Sequence, residues 1–175
     1  MGKDNRVTNV VFSGLGGQGV LKASDILSVA VFLLGHDVKK SEVHGMSQRG
    51  GSVTSDVRFG PEVFSPMVPE GEADFLVALD TTQIEPAKHV LREDGVLIDP
   101  GVFLKEGQTE KGLDKDESTP VTRRNLNVAL LGVLSTYLDL DEQTWLDAIR
   151  KNLPAKVHAQ NAQVFALGRD LARKT

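Results

Sequence analysis

The chain contains no cysteine among its 175 residues. That excludes a disulfide, a thiolate nucleophile and a Cys-ligated iron–sulfur cluster or zinc on this polypeptide. Histidine is nearly as scarce. His36, His44, His89 and His158 are the full set, and none pairs with another at metal-ligand spacing on one helix. No metal site is expected. Long apolar runs are missing too: Val29 to Leu34, the longest in the first helix-like segment, falls far short of the roughly 18 residues a membrane span needs. There is no basic surplus either, since the formal net charge is -4, whereas nucleic-acid binders usually carry a clustered basic face. The N-terminus runs from Met1 to Arg6 into a strand-like Val7 to Phe12 with no apolar signal core and no cleavage pattern. The expectation is a cytoplasmic protein with neither a membrane nor a nucleic-acid partner.

Apolar residues make up 40% and charged residues 25%, enough to bury a core and too balanced for disorder. The length suits one domain spanning 1–175. Thr8 to Ser13 is a β-branched run that ends at a glycine cluster. Apolar residues then recur at Val20, Ala23, Ile26, Leu27, Ala30, Val31 and Leu34, which predicts a helix closed by Gly35. Val38 to Lys40 suggests a brief strand, Ser41 to Gly51 a loop and Ser52 to Phe59 an alternating strand ended by Gly60-Pro61. Buried strands are expected at Ala73 to Leu79 and Val96 to Asp99, with a short helix over Gln83 to Leu91 between them.

Lys105 to Thr119 lacks periodicity and reads as an exposed, irregular stretch. Helical spacing returns after Arg123 along Leu126, Leu130, Val133, Leu134, Tyr137 and Leu138. Asp141 is placed to cap Glu142 to Asn152, and His158 to Ala172 forms a last amphipathic helix. The pattern predicts a Rossmann-like three-layer α/β/α domain, with a largely parallel sheet and a helical C-terminal third.

Gly14-Leu15-Gly16-Gly17-Gln18-Gly19 follows a strand and opens a helix. Glycines let backbone N–H groups come close to an anion, and the helix N-terminus adds roughly half a positive charge. Asp37 lies near where a dinucleotide-binding fold places its ribose-binding acid. An autonomous NAD(P)-binding Rossmann module or small dehydrogenase is therefore one alternative. A turn that only packs the first helix on the first strand is another. Against the dehydrogenase stand the missing substrate domain and Lys39-Lys40 beside the acid.

Two dozen residues later comes Glu42-Val43-His44-Gly45-Met46-Ser47-Gln48-Arg49-Gly50-Gly51-Ser52-Val53. Together with Gly14 to Val20 it resembles the gamma domain of the 2-oxoacid:ferredoxin oxidoreductases, and its wording is most like the small (beta) subunit of the indolepyruvate (arylpyruvate) branch. The likeness continues through Val57-Arg58, Asn127 to Gly132, and Asn161, Phe165 and Gly168, so it covers nearly the whole chain.

The resemblance implies a small subunit that supports CoA-dependent oxidative decarboxylation of a 2-oxoacid to acyl-CoA, with electrons passed to ferredoxin. It implies a large partner carrying thiamine diphosphate, Mg and [4Fe-4S] clusters, contact with ferredoxin through the complex, and no cofactor held by this chain alone. The isolated chain is expected to be inactive and able to self-associate through its partner face. Contact with coenzyme A is expected at Gly14, Gly16, Gly17, Gln18 and Gly19, and at Gln48, Arg49, Gly50 and Gly51 of the second loop. Arg49 can equally pair with Glu42. No residue is assigned a catalytic role. His44 is expected as a loop histidine, Met46 as an interface contact, Asn127 and Asn161 as ties between helices and loops, and Asp80 and Asp99 as loop caps.

Overall fold

The computed structural model describes residues 5–46 and 50–174. Strand β1 (Thr8–Leu15) is buried along almost its whole length, which suits Val10, Val11 and Phe12 and puts it at the centre of a sheet. Helix α1 (Val20–Leu33) follows, with Ala23, Ile26, Leu27, Ala30 and Val31 fully buried. It ends one residue before the expected boundary, with Gly35 just beyond. The chain then forms β2 (Asp37–His44), β3 (Ser52–Gly60), β4 (Ala73–Ala78) and β5 (Leu91–Ile98).

The strand order is β2-β3-β1-β4-β5. Strands β1, β4 and β5 pair in parallel, with Val10 beside Phe75 and Leu76 beside Leu97. Strand β3 runs antiparallel to both β1 and β2. Four strands therefore point one way and β3 is reversed, so the expected layered α/β sheet is present as a mixed one.

Strand β2 runs to His44 rather than stopping at Lys40, because Ser41 to His44 join the ladder opposite Val53 to Asp56. Charged residues such as Lys39 and Glu42 predict strand poorly, yet they suit an edge that must resist further pairing.

One face of the sheet carries the main core. Val10, Phe12, Val57, Phe59 and Val77 pack with Ile26 and Leu27 of α1 and with three late helices. These are α4 (Leu126–Ser135), α5 (Glu142–Asn152) and α6 (His158–Arg173), and they make the helical C-terminal third that was expected. The labels α2 and α3 belong to single turns, Ile84–Ala87 and Glu110–Leu113.

The opposite face is thinner. Val11, Ala73 and Leu76 meet Val68, Ala87 and Val90, so the helix expected over Gln83 to Leu91 is only α2 flanked by 3-10 turns. Ala87 and Val90 offer too little apolar surface to sustain a longer amphipathic helix.

Every residue of α4 is buried. It crosses α6 at backbone contact: a Cβ on Gly132 would sit 2.2 Å from the Phe165 carbonyl oxygen, and one on Gly168 would sit 2.1 Å from that of Ala129. Asp141 caps α5 as expected, accepting the Thr144 N–H at 2.8 Å.

Candidate functional site at the glycine turn

Only Gly16 to Gly19 separate the end of β1 from the start of α1. Gly17 and Gly19 have φ of 87° and 82°, a region that side-chain-bearing residues rarely enter. Gly19 is the N-cap of α1, with no side-chain cap and no acid in the first turn of the helix. A Cβ there would fall 2.5 Å from Asn127 Nδ2, and that amide donates to the Gly19 carbonyl at 3.2 Å. Asn127 thus ties α4 to the turn, while Asn161 ties back to the Val157 carbonyl. A Cβ on Gly14 would meet Val20 Cγ2 at 2.7 Å, so Gly14 brings helix and strand together. Gly17 is different: a Cβ there would meet nothing within 4 Å.

Gln18 holds the turn's shape. Its Oε1 accepts the Leu15 N–H at 2.7 Å and its Nε2 donates to Asp80 Oδ2 at 2.7 Å. Asp80 follows β4 and also accepts from the Thr82 N–H and hydroxyl. Burial would raise the Asp80 pKa, but hydrogen bonds from the Thr82 hydroxyl, the Gln18 amide and the Thr82 N–H outweigh it and hold the carboxyl below its ordinary value. Asp99 caps its own turn, accepting from the Gly101 N–H.

The second glycine stretch reaches the same place. Gly16 N–H donates to the Gly51 carbonyl at 2.8 Å, and Gly50 lines the cleft with Gly16 and Gly17. Gln48 and Arg49 lie outside the described residues. His44 and Met46 are exposed at the start of this stretch.

Asp37 is not part of the site. It sits opposite Gly60 at the start of β2, whereas Gly14 pairs with Val53 near the other end of the ladder. That puts it roughly 20 Å from the turn at about 3.3 Å per residue. Its carboxylate accepts the Val63 N–H at 2.8 Å and pairs with Lys39. An acid that opens its strand cannot reach a ribose at the strand's far end.

An open cleft of about 810 Å³ lies between the glycine turn, the exit of β4 and a wall from the 109–124 segment. It occupies the carboxyl ends of β1 and β4, where the sheet's connections diverge to opposite sides of β1, the usual ligand crevice of open α/β sheets. The second wall was not anticipated. Glu110 and Leu113 are buried within the stretch expected to be exposed, and Glu110 accepts the Thr81 N–H at 2.7 Å. The one hint was Leu113, the sole apolar side chain between Lys105 and Thr119.

The fold is that of an open α/β domain with a glycine turn at the switch point of its sheet. Within that class the chain belongs to the pyruvate ferredoxin/flavodoxin oxidoreductase family, whose model matches residues 9–171. Subunit IorB of the indolepyruvate oxidoreductase of Thermococcus kodakarensis is 31% identical over 95% of this chain and 96% of its own length. The corresponding subunit of Pyrococcus horikoshii is 30% identical over the same shares.

Among solved structures, the gamma subunit of keto/oxoacid ferredoxin oxidoreductase from Geobacter sulfurreducens superposes with a TM-score of 0.76. It has 22% identity and is covered over 99% of its length by 96% of this chain. The 2-oxoglutarate:ferredoxin oxidoreductase of Magnetococcus marinus, solved with coenzyme A bound, contains the same fold at a TM-score of 0.79 and 19% identity. It is matched over 32% of its length.

Proposed function

We propose that this chain is the small gamma-type subunit of a 2-oxoacid ferredoxin oxidoreductase of the pyruvate/indolepyruvate kind, working as one domain over 1–175. The observation that carries this is end-to-end relatedness to an indolepyruvate oxidoreductase subunit, 31% identical over 95% of the chain. The autonomous NAD(P) module loses its support with Asp37 at the wrong end of β2. In the assembled enzyme a 2-oxoacid is oxidatively decarboxylated, its acyl group joins coenzyme A, and two electrons leave for ferredoxin.

Thiamine diphosphate with Mg would supply the carbanion chemistry and [4Fe-4S] clusters the electron path, both on a large partner subunit. This chain has no cysteine to ligate such a cluster. Its own task is to bind and orient coenzyme A. The N–H groups of Gly17 and Gly19 and the uncapped start of α1 favour phosphate oxygens, Gly16 lines the space with its own N–H held by the Gly51 carbonyl, and Gly50 borders the same space. Gln48 and Arg49 would extend that border. Gln18 acts by holding the turn. The compartment is the cytoplasm; among the described residues no helix is long and apolar enough to cross a membrane.

The test is an anaerobic pull-down with the tagged chain, followed by dye reduction dependent on an arylpyruvate and coenzyme A. Recovery of a large iron–sulfur, thiamine-diphosphate protein with that activity is expected. A chain recovered alone that binds NAD(P)H would overturn the proposal.

A further inference from the structure

The 105–124 wall of the cleft forms two ion pairs of its own. Lys105 pairs with Asp116 at 2.7 Å. Asp114 accepts the Arg123 N–H at 2.9 Å and its Nε at 2.5 Å, so this pair is internally neutral. The other acids of the cleft are engaged as well, Asp80 by Gln18 and Thr82 and Glu110 by the Thr81 N–H. Among the described residues that line the cleft, two cations are left over. Lys111 and Arg124 are both exposed and both line the cleft. Asp114 feels Arg124 only as a neighbouring charge. Neither cation makes a hydrogen bond or ion pair with another described residue.

We propose that Lys111 and Arg124 are the phosphate-recognising pair of this cleft, and that Glu110 is the positioning residue that fixes their wall against the exit of β4. This rests on the placement of coenzyme A at the glycine turn and names the groups that would hold its phosphates from the other side. Phosphate fits better than a small carboxylate for three reasons. Arginine offers a planar fork and lysine a point charge, a combination suited to several anionic oxygens. A cleft of about 810 Å³ matches a nucleotide-sized ligand more closely than a 2-oxoacid. The open surface of Gly17 allows close approach from the turn. Glu110 is buried while its neighbour Lys111 is exposed, so one carboxylate anchors the wall and leaves the adjacent ammonium facing the ligand.

Equilibrium binding of coenzyme A, 3′-dephospho-coenzyme A and pyrophosphate to the full chain tests this. Lys111→Gln with Arg124→Gln should weaken coenzyme A by about tenfold or more, since hydrogen bonds to charged groups contribute on that scale. The double variant should also lose most of the salt dependence that two exposed cations impart. Both side chains are exposed, so its unfolding midpoint should match the wild type. Glu110→Ala should weaken binding too. Glu110→Gln should retain it, because an amide oxygen still accepts the Thr81 N–H.

If dephospho-coenzyme A loses as much as coenzyme A in the double variant, the pair holds the diphosphate. If only coenzyme A loses, the pair holds the 3′-phosphate. Equal affinity of wild type and double variant for every ligand would overturn the inference while leaving the glycine turn as the site. Failure of the wild type to bind any of the three would overturn the coenzyme A placement as well.

Discussion

Gln18 commits both ends of its amide to the protein, one to the Leu15 N–H and one to Asp80. Its replacement by alanine should therefore loosen the glycine turn and cost about 1–3 kcal/mol, the usual penalty for stranding buried partners. Chemical denaturation measures this. Gln18→Glu should cost more at neutral pH, because it sets a second carboxylate against Asp80, and the excess should shrink on acidification.

Asp80 has a pKa held below its ordinary 3.8. Its ionised form is thus favoured by folding, and the stability it contributes is complete above that pH and drains away as the pH falls through the lowered folded value. The gap in unfolding midpoint between wild type and Asp80→Asn should be full at neutral pH and close under acid; a gap that stays constant would contradict this.

At this scale the sequence showed the turn but not its bracing. Glycine spacing marks where a chain can reverse, whereas the partner of Gln18 lies sixty-two residues away. Asp37 misled for the converse reason: spacing along the chain matched a ribose acid, and only strand register shows which end of β2 it occupies.

Helices were the legible elements. The apolar repeats of α1 and α6 and the Asp141 cap fix their placement because helical periodicity and capping are local. The single-turn α3 was hidden, since Glu110 is buried through a bond to Thr81 that no local pattern encodes.

The crossing of α4 and α6 rests on two glycines whose absent side chains let the backbones touch. Gly132→Ala or Gly168→Ala drives a methyl to within 2.2 Å or 2.1 Å of a carbonyl oxygen. The helices must then separate, opening the core around Phe165 and Leu130. A loss of about 3 kcal/mol is expected for either, read as a lower thermal midpoint. The double variant should cost less than the sum, because one displacement relieves both clashes.

At the scale of the whole molecule, strand direction was the least legible feature. Hydrophobic runs announce buried strands, but whether β3 runs with or against β1 depends on contacts that only the folded chain makes. One core joins the sheet to α1, α4, α5 and α6, so unfolding is expected to be a single cooperative transition. Trp145 is the only tryptophan and is fully buried between α5 and α6, 5.7 Å from the Phe165 ring. Its fluorescence should change together with the far-ultraviolet dichroism of the sheet and helices. Separate midpoints for the two signals would show that 1–175 is not one domain.

Reversal of β3 also sets which parts of the chain can change length. Because β3 runs antiparallel to β1, Ser52 lies opposite Leu15 and the Gly51 carbonyl accepts the Gly16 N–H, so the start of β3 is held against the glycine turn. An extra residue inserted next to Gly51 has to be absorbed beside the open crevice. One inserted in the 61–72 connection, at the other end of the sheet, leaves that crevice untouched. Drift in chain length among descendants of this fold should therefore collect at one end of the sheet and be almost absent from the other.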